Sequence, residues 1–232
     1  MILRSWDDLP DVMRTEAVRP YYEKLKNRRI SLLLKRLFDL VVSLIMLLIL
    51  WPFMVIIGLI IRFDSPGHAL FLQERVTTYG KRFKIWKFRT MVSGADKKGA
   101  AVTVSGDSRI TRVGAFLRKV RLDELPQLVN ILTGDMSFVG TRPEVVKYVE
   151  KYKPEYYATL LLPAGVTSEA SIHYKDEYKL LAEADDVDRV YIEKVLPDKM
   201  KWNLESIRRF YFLGDIITMF RTVLAILGKD YN

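Results

Sequence analysis

Residues 40–61, from Leu40 to Ile61, read LVVSLIMLLILWPFMVIIGLII, a run of 22 positions without a charged side chain. A helix needs roughly 20 apolar residues to cross about 30 Å of hydrocarbon, so this run is long enough to enter a bilayer. It is apolar all round and longer than most globular helices, which sets aside a buried core helix.

The flanks bear on topology. Lys24, Lys26, Arg28, Arg29, Lys35 and Arg36 precede the run, and Arg62, Arg75, Lys81, Arg82 and Lys84 follow it. The positive-inside tendency puts both flanks on the cytoplasmic side. Pro52, near the middle, removes a backbone donor and clashes with the preceding turn, which kinks a helix. A bent helix that enters and leaves by one face satisfies both observations. A plain single span stays open as the alternative, because spanning helices also tolerate proline.

Composition narrows the rest. The chain has 232 residues, 50% of them apolar, with a net charge of +9, which favours an anionic partner: nucleic acid, an acidic membrane surface or a phosphorylated substrate. With no cysteine, thiol nucleophiles, disulfides and thiolate zinc sites are excluded, and His68 and His173 are too few for a histidine-rich centre. A metal here would be a hard cation held by carboxylates and phosphate. Asp7, Asp8 and Asp11 make the first thirty residues unlike a secretory signal. That segment reads as a polar lead-in and interfacial collar, with a break at Arg19-Pro20-Tyr21-Tyr22.

After the apolar run, Asp64-Ser65-Pro66-Gly67 signals a turn. Ala69 to Val76 and Lys81 to Met91 then read as two short strands around Gly80. The second strand interleaves Arg82, Lys84, Lys87 and Arg89 with Phe83, Ile85, Trp86 and Phe88. Such a pattern can stack on single-stranded nucleic acid, but beside a membrane segment a headgroup or phosphate surface is the better fit. Residues 92–108 read as a mobile surface loop, and Leu162 to Val166 as another loop. Ser171 to Asp188 reads as a polar surface helix, and Asn203 to Leu227 as an amphipathic helix in the interface. No internal repeat, dinucleotide fingerprint or Walker-type phosphate loop is present.

From Ser108, the stripe Ile110, Val113, Phe116, Leu117 and Val120 predicts a helix ringed by Arg109, Arg112, Arg118, Lys119 and Arg121. Asp123 then fits the N-cap of a second helix, with Pro126 in its first turn and Gly134 ending it. An aspartate and glutamate at a helix start usually cap it and complement its dipole. A cap, however, needs neither Arg118 nor Arg142. Cations beside helical amides stabilise phosphate oxygens and keep a neighbouring carboxylate ionised. Such a carboxylate can attack a phosphoryl group, and Mg2+ would reduce the repulsion between the two anions.

Six short motifs give this reading a family. Lys35-Arg36-Leu37-Phe38-Asp39, Asp64-Ser65-Pro66-Gly67, Gln73-Glu74-Arg75, Lys87-Phe88-Arg89-Thr90-Met91, Leu122-Asp123-Glu124-Leu125-Pro126-Gln127 and Gly134-Asp135-Met136-Ser137 occur in this order. Together they resemble the bacterial sugar transferase family, the monotopic phosphoglycosyl transferases, from about Ser31 to Glu144 and more weakly to Leu227.

The resemblance implies an α+β, mostly helical fold: a re-entrant membrane helix, interfacial amphipathic helices and a small β-hairpin around a cytoplasmic catalytic core. It divides the chain into a polar extension (1–30), a re-entrant helix bent at Pro52 (31–62) and a membrane-associated catalytic domain (63–232). The implied reaction moves a sugar 1-phosphate from a UDP-sugar to polyprenol phosphate such as undecaprenol phosphate, releasing UMP, as the first membrane step of glycan assembly. Asp123 would be the nucleophile that carries the phospho-sugar, and Glu124 its partner in positioning Mg2+. Arg118 and Arg142, with Lys87 and Arg89, would bind phosphate. Membrane lipids, a second copy of the chain or enzymes of the same glycan pathway are the implied partners, nucleic acid is not, and the site would face the cytoplasm at the bacterial inner membrane. A membrane-anchored scaffold for anionic lipid, without catalysis, is the alternative from another class.

Three positions depart from the family pattern. Trp51 precedes the bend proline where serine is common, Pro66-Gly67-His68 stands for Pro-Gly-Pro, and Gly140-Thr141-Arg142-Pro143 for Gly-Pro-Arg-Pro.

Overall fold

A computed structural model describes residues 3–95, 107–174 and 186–226. The fold is α+β and mostly helical, with a two-stranded antiparallel sheet and a two-stranded parallel sheet. The loop expected at 92–108 and the helix expected at 171–188 fall largely on residues 96–106 and 175–185, which lie outside the described residues.

After the short helix α1 (Arg19–Lys26), helix α2 (Arg29–Asp64) runs for 36 residues, about 54 Å at 1.5 Å per residue. It is the one helix among the described residues long and apolar enough to cross a membrane. Outward-facing Leu44, Leu48, Trp51, Val55 and Leu59 are exposed, and this apolar surface marks the chain as membrane-associated. The helix continues through Pro52, itself exposed.

The opposite face of α2 is occupied along its whole length. Near the start, Lys35 Nζ donates to the Val139 carbonyl (2.7 Å) and to Asp215 (2.6 Å). Arg36 donates to the carbonyls of Ile131 (2.7 Å) and Leu132 (2.9 Å), while Asp39 accepts from the Phe138 amide (3.1 Å). Val42, Met46, Leu47 and Leu50 then pack on a core of Phe83, Ile85, Leu128 and Ile131. Met54, Ile57 and Ile61 pack on Phe88 and Leu117. The basic flank thus locks the helix down, and the three-to-four spacing from Leu32 to Ile61 carries the contact onward.

Strands β1 (Leu70–Val76) and β2 (Arg82–Phe88) form the expected hairpin, in register from Leu70 opposite Phe88 to Val76 opposite Arg82. Tyr79 (φ 57°) and Gly80 (φ 77°) turn the chain between them. Helix α3 (Arg112–Lys119) starts later than the stripe suggested, capped by Thr111, whose hydroxyl accepts from the Gly114 amide at 3.0 Å. Helix α4 (Gln127–Thr133) is pinned to β2: the Trp86 amide donates to Asn130 Oδ1 and Asn130 Nδ2 to the Lys84 carbonyl, both at 2.9 Å.

Strands β3 (Met136–Val139) and β4 (Ala164–Thr167) pair in parallel. Proline and glycine make 162–166 read as a loop, but Ala164–Thr167 is a strand. The glycine serves the opposite purpose: a Cβ on Gly165 would stand 2.1 Å from the Gly140 nitrogen, so only glycine allows the strands to approach there.

Helices α5 (Val146–Val149), α6 (Glu169–His173), α7 (Val187–Val190), α8 (Leu196–Arg208) and α9 (Phe212–Ile226) complete the described chain. The expected C-terminal helix is two helices, broken at Arg209–Tyr211. α9 is amphipathic as expected: Leu213, Ile217, Phe220 and Val223 are exposed, while Thr218 and Arg221 bind Glu169 at 2.7 and 2.8 Å.

The largest core joins the segment before α2 to the second half of the chain. Leu9, Met13, Val18, Tyr21, Tyr22 and Leu25 bury against Tyr148, Leu161, Leu196, Met200 and Leu204. The polar segment before α2 therefore contributes interior as well as surface.

Candidate active site

The site is built on a reversal between α3 and α4. Arg121 takes a left-handed conformation (φ 59°, ψ 18°) that ends α3 and starts a single 3-10 turn, Leu122–Glu124. A non-glycine residue there costs of order 1 kcal/mol or more, and such strain concentrates at functional sites. The expected N-cap role of Asp123 is corrected by this turn: α4 is capped at Pro126, and Asp123 lies a turn earlier.

The turn carries both carboxylates inward. Asp123 is 8% exposed, and its Oδ1 is buried with no hydrogen-bond partner. Glu124 Oε1 accepts from Arg142 Nη2 at 2.6 Å and from Lys87 Nζ at 3.0 Å. Lys87 comes from β2, and Arg142 from the segment after β3. Three separate stretches of chain thus converge on one carboxylate.

The two acids behave differently. Burial and the Glu124 charge raise the pKa of Asp123 above the usual carboxylate range, against the pull of Lys87, Arg118 and Arg121. Burial also pushes Glu124 upward, but Arg142 and Lys87 overwhelm it and hold its carboxyl well below that range. Glu124 is therefore fixed as an anion. Asp123 is the more basic carboxylate, and its free oxygen is not committed to the fold. Burial and Arg142 lower the pKa of Lys87, while Glu124 raises it. Lys87, Arg118, Arg121 and Arg142 set four cations against two carboxylates, an excess suited to a polyanionic ligand.

Of the residues singled out in the sequence, Lys87 and Arg142 both bind Glu124, and Lys87 and Arg118 act on the neighbouring Asp123 through their charge. Pro52 lies on the exposed face of α2. Arg89, expected to bind phosphate, is turned onto backbone carbonyls at the end of α2. Its Nη2 donates to the Ser65 carbonyl (2.6 Å) and to the Ile61 carbonyl (3.3 Å), its Nη1 to the Pro66 carbonyl (2.7 Å) and Ser93 Oγ (3.2 Å), while its Nε is buried without a hydrogen-bond partner. It caps the C-terminus of α2. β2 ends at Phe88, so strand alternation no longer holds Arg89 on the face of Lys87.

Two further residues stand beside these, one in the chain and one by a hydrogen bond. Gln127, one turn beyond Asp123, is 1% exposed with both amide atoms unpartnered. Arg75 donates to the carbonyl of Pro143, the residue after Arg142, at 3.1 Å. Arg75 and Gln127 both stand inside quoted motifs, so the signal was present but attached to no chemistry.

The donor set suits a hard cation only in part. Asp123 Oδ1 is available, but Glu124 Oε1 is engaged by Lys87 and Arg142, and no cluster of three or more acidic, histidine or cysteine ligands exists among the described residues. Mg2+ commonly binds through one or two carboxylates plus substrate phosphates, and Asp123 with Glu124 fits that mode.

Comparison with known proteins places the chain in a family. The family described as Bacterial sugar transferase matches residues 30–229. A UDP-N-acetylgalactosamine-undecaprenyl-phosphate N-acetylgalactosaminephosphotransferase of Aeromonas hydrophila is 34% identical over 84% of this chain and 44% of its own length. A UDP-glucose:undecaprenyl-phosphate glucose-1-phosphate transferase of Escherichia coli K12 is 36% identical over 84% of this chain and 40% of its own. One of the same name from Caulobacter vibrioides is 41% identical over 84% and 70%. The chain spans less than half the length of the first two.

Proposed function

We infer from its family that this protein, which belongs to the bacterial sugar transferases, moves a sugar 1-phosphate from a UDP-sugar to a polyprenol phosphate at a membrane. The observation that carries the reading is the uncommitted oxygen of buried Asp123, beside an anion fixed by Lys87 and Arg142. The names of the relatives supply the substrate class.

In the proposed route, an Asp123 carboxylate oxygen attacks the phosphorus bonded to the sugar. The bond from that phosphorus to the bridging oxygen breaks, and UMP leaves with the electron pair. Arg142, Lys87 and Arg118 hold the phosphate oxygens, where cations are most effective out of water. A polyprenol phosphate oxygen then attacks the same phosphorus, the bond to Asp123 breaks, and the carboxylate is regenerated. Mg2+, held by Asp123 and Glu124 together with diphosphate oxygens, would offset the charge repulsion between the anions. Full turnover by Asp123→Asn in a UMP-release assay would refute the assigned nucleophile; a loss of at least about a thousandfold is expected, since no acyl phosphate forms.

The same reading takes α2 as re-entrant, with the site on the cytoplasmic face of the inner membrane. The contact stripe from Leu32 to Ile61 supports it, because a full crossing would carry the body packed on that stripe into hydrocarbon. The chain lacks cysteine, so single cysteines can be introduced at Arg29 and Asp64. Both should label only from the cytoplasmic side; labelling from opposite sides would require a span.

A further inference from the structure

We propose that Tyr191 and Lys199, far from the carboxylate pair in sequence, are positioning residues for Arg142, acting through Glu144. This inference deepens the proposed reaction and rests on that reading for the role of Arg142.

The segment Arg142-Pro143-Glu144 is held at two ends. Arg142 reaches Glu124, and two residues later Glu144 is 6% exposed and accepts a 2.6 Å hydrogen bond from the Tyr191 hydroxyl. Lys199 Nζ donates to the Tyr191 oxygen at 3.0 Å and lies 3.7 Å from Glu144. Lys199 is 6% and Tyr191 2% exposed. The main chain between is also tied, through Arg75 to the Pro143 carbonyl (3.1 Å) and the Val76 amide to the Glu144 carbonyl (3.1 Å).

The local winding of the helix produces this arrangement. Tyr191–Val195 is a π-helical turn between α7 and α8. In an α-helix, eight residues advance about 800°, leaving Tyr191 and Lys199 some 80° apart. One residue absorbed in a π turn makes eight steps act as about seven, nearly two full turns. Both side chains then face Glu144, and Lys199 also sits 5.1 Å over the Tyr191 ring, itself stacked on Tyr148 at 4.6 Å. Such π turns occur frequently at functional sites. A buried acid with a phenol and an ammonium is a costly way merely to fill a core, since apolar side chains of the same volume would do as well. What the network adds is a fixed place for the two residues that precede it.

The test uses the full chain in lipid nanodiscs, with Tyr191→Phe, Lys199→Met and Lys199→Arg, each alone and with Arg142→Lys. UDP affinity is read by calorimetry, which needs no turnover, and UMP release in parallel. Expected are a roughly tenfold weaker UDP affinity and a lower kcat/KM in Tyr191→Phe and Lys199→Met, with partial recovery in Lys199→Arg. In the Arg142→Lys background the same changes should add almost nothing, because the group they position is already gone. Unchanged UDP affinity in variants that melt like wild type, or losses that add fully to that of Arg142→Lys, would overturn the proposal. Wild-type chain that binds UDP but releases no UMP from any UDP-sugar would instead count against the reaction, leaving the affinity comparison to decide the positioning role.

Discussion

Lys87 and Arg89 are two residues apart in one motif, both buried on at least one side, yet they belong to different machines. Lys87 shares Glu124 with Arg142, beside an aspartate whose Oδ1 has no partner. The Arg89 guanidinium is turned onto carbonyls at Ile61, Ser65 and Pro66, and closes the end of α2. The difference lies in what each cation is given. A cation bound to backbone carbonyls completes the fold, whereas cations in excess around a fixed anion and a free carboxylate oxygen are set for a ligand. Charge in a motif does not separate the two; the acceptors do.

The strongest way to break this contrast is to exchange the phenotypes. Arg142→Lys should lower turnover about a hundredfold while leaving the melting midpoint near wild type, because an ammonium does not replace a guanidinium at a carboxylate and phosphate. Arg89→Met should do the reverse, leaving buried carbonyls unpaired at a cost of about 2–3 kcal/mol with normal turnover in the folded fraction. Denaturation midpoints and UMP release measured together decide it. A catalytically dead but fully stable Arg89→Met would return Arg89 to the site.

The pH profile sharpens the comparison within the pair itself. A nucleophile must be ionised, and the pKa of Asp123 is raised, so the acid limb of kcat/KM should lie above the usual aspartate range. Removing the Arg118 charge by Arg118→Met should move that limb to higher pH, since Arg118 pulls the Asp123 pKa down. Glu124 contributes in the opposite sense to stability: its pKa is depressed, so its contribution is present above the ordinary carboxylate pKa and is lost as the solution is made more acidic than that. A limb unmoved by Arg118→Met would remove Asp123 as its source.

The smallest expected effect is at Gly67, whose φ of +121° suits only glycine and whose added Cβ would meet the Arg89 guanidinium at 2.2 Å. Gly67→Ala should cost about 1–2 kcal/mol of stability by strain and by displacing Arg89, with kcat retained. A loss of turnover at unchanged stability would tie this corner to the site after all.

How much of this was legible in the sequence depends on the range of the forces involved. The apolar run, the hairpin, the amphipathic C-terminus and the carboxylate pair were all readable, because length, alternation and helical spacing are local properties. The N-cap assigned to Asp123 failed, because a left-handed Arg121 inserted a separate turn that no local pattern announces. The strand at Ala164–Thr167 failed likewise, since its glycine looked like a breaker until Gly140 lay against it.

By itself, the sequence determined that the chain meets a membrane, that it is mostly helical and which family it belongs to, since apolar length, helical period and an ordered set of motifs are all written along the chain. Only the tertiary structure decided which partner each cation meets. Arg89 went to the end of α2, Lys87 and Arg142 to Glu124, and Tyr191 with Lys199 to Glu144. A charged side chain is defined by its partner, and the carbonyls at the end of α2, Glu124 and Glu144 lie 18 to 55 residues from the side chains they bind, beyond the reach of any local pattern.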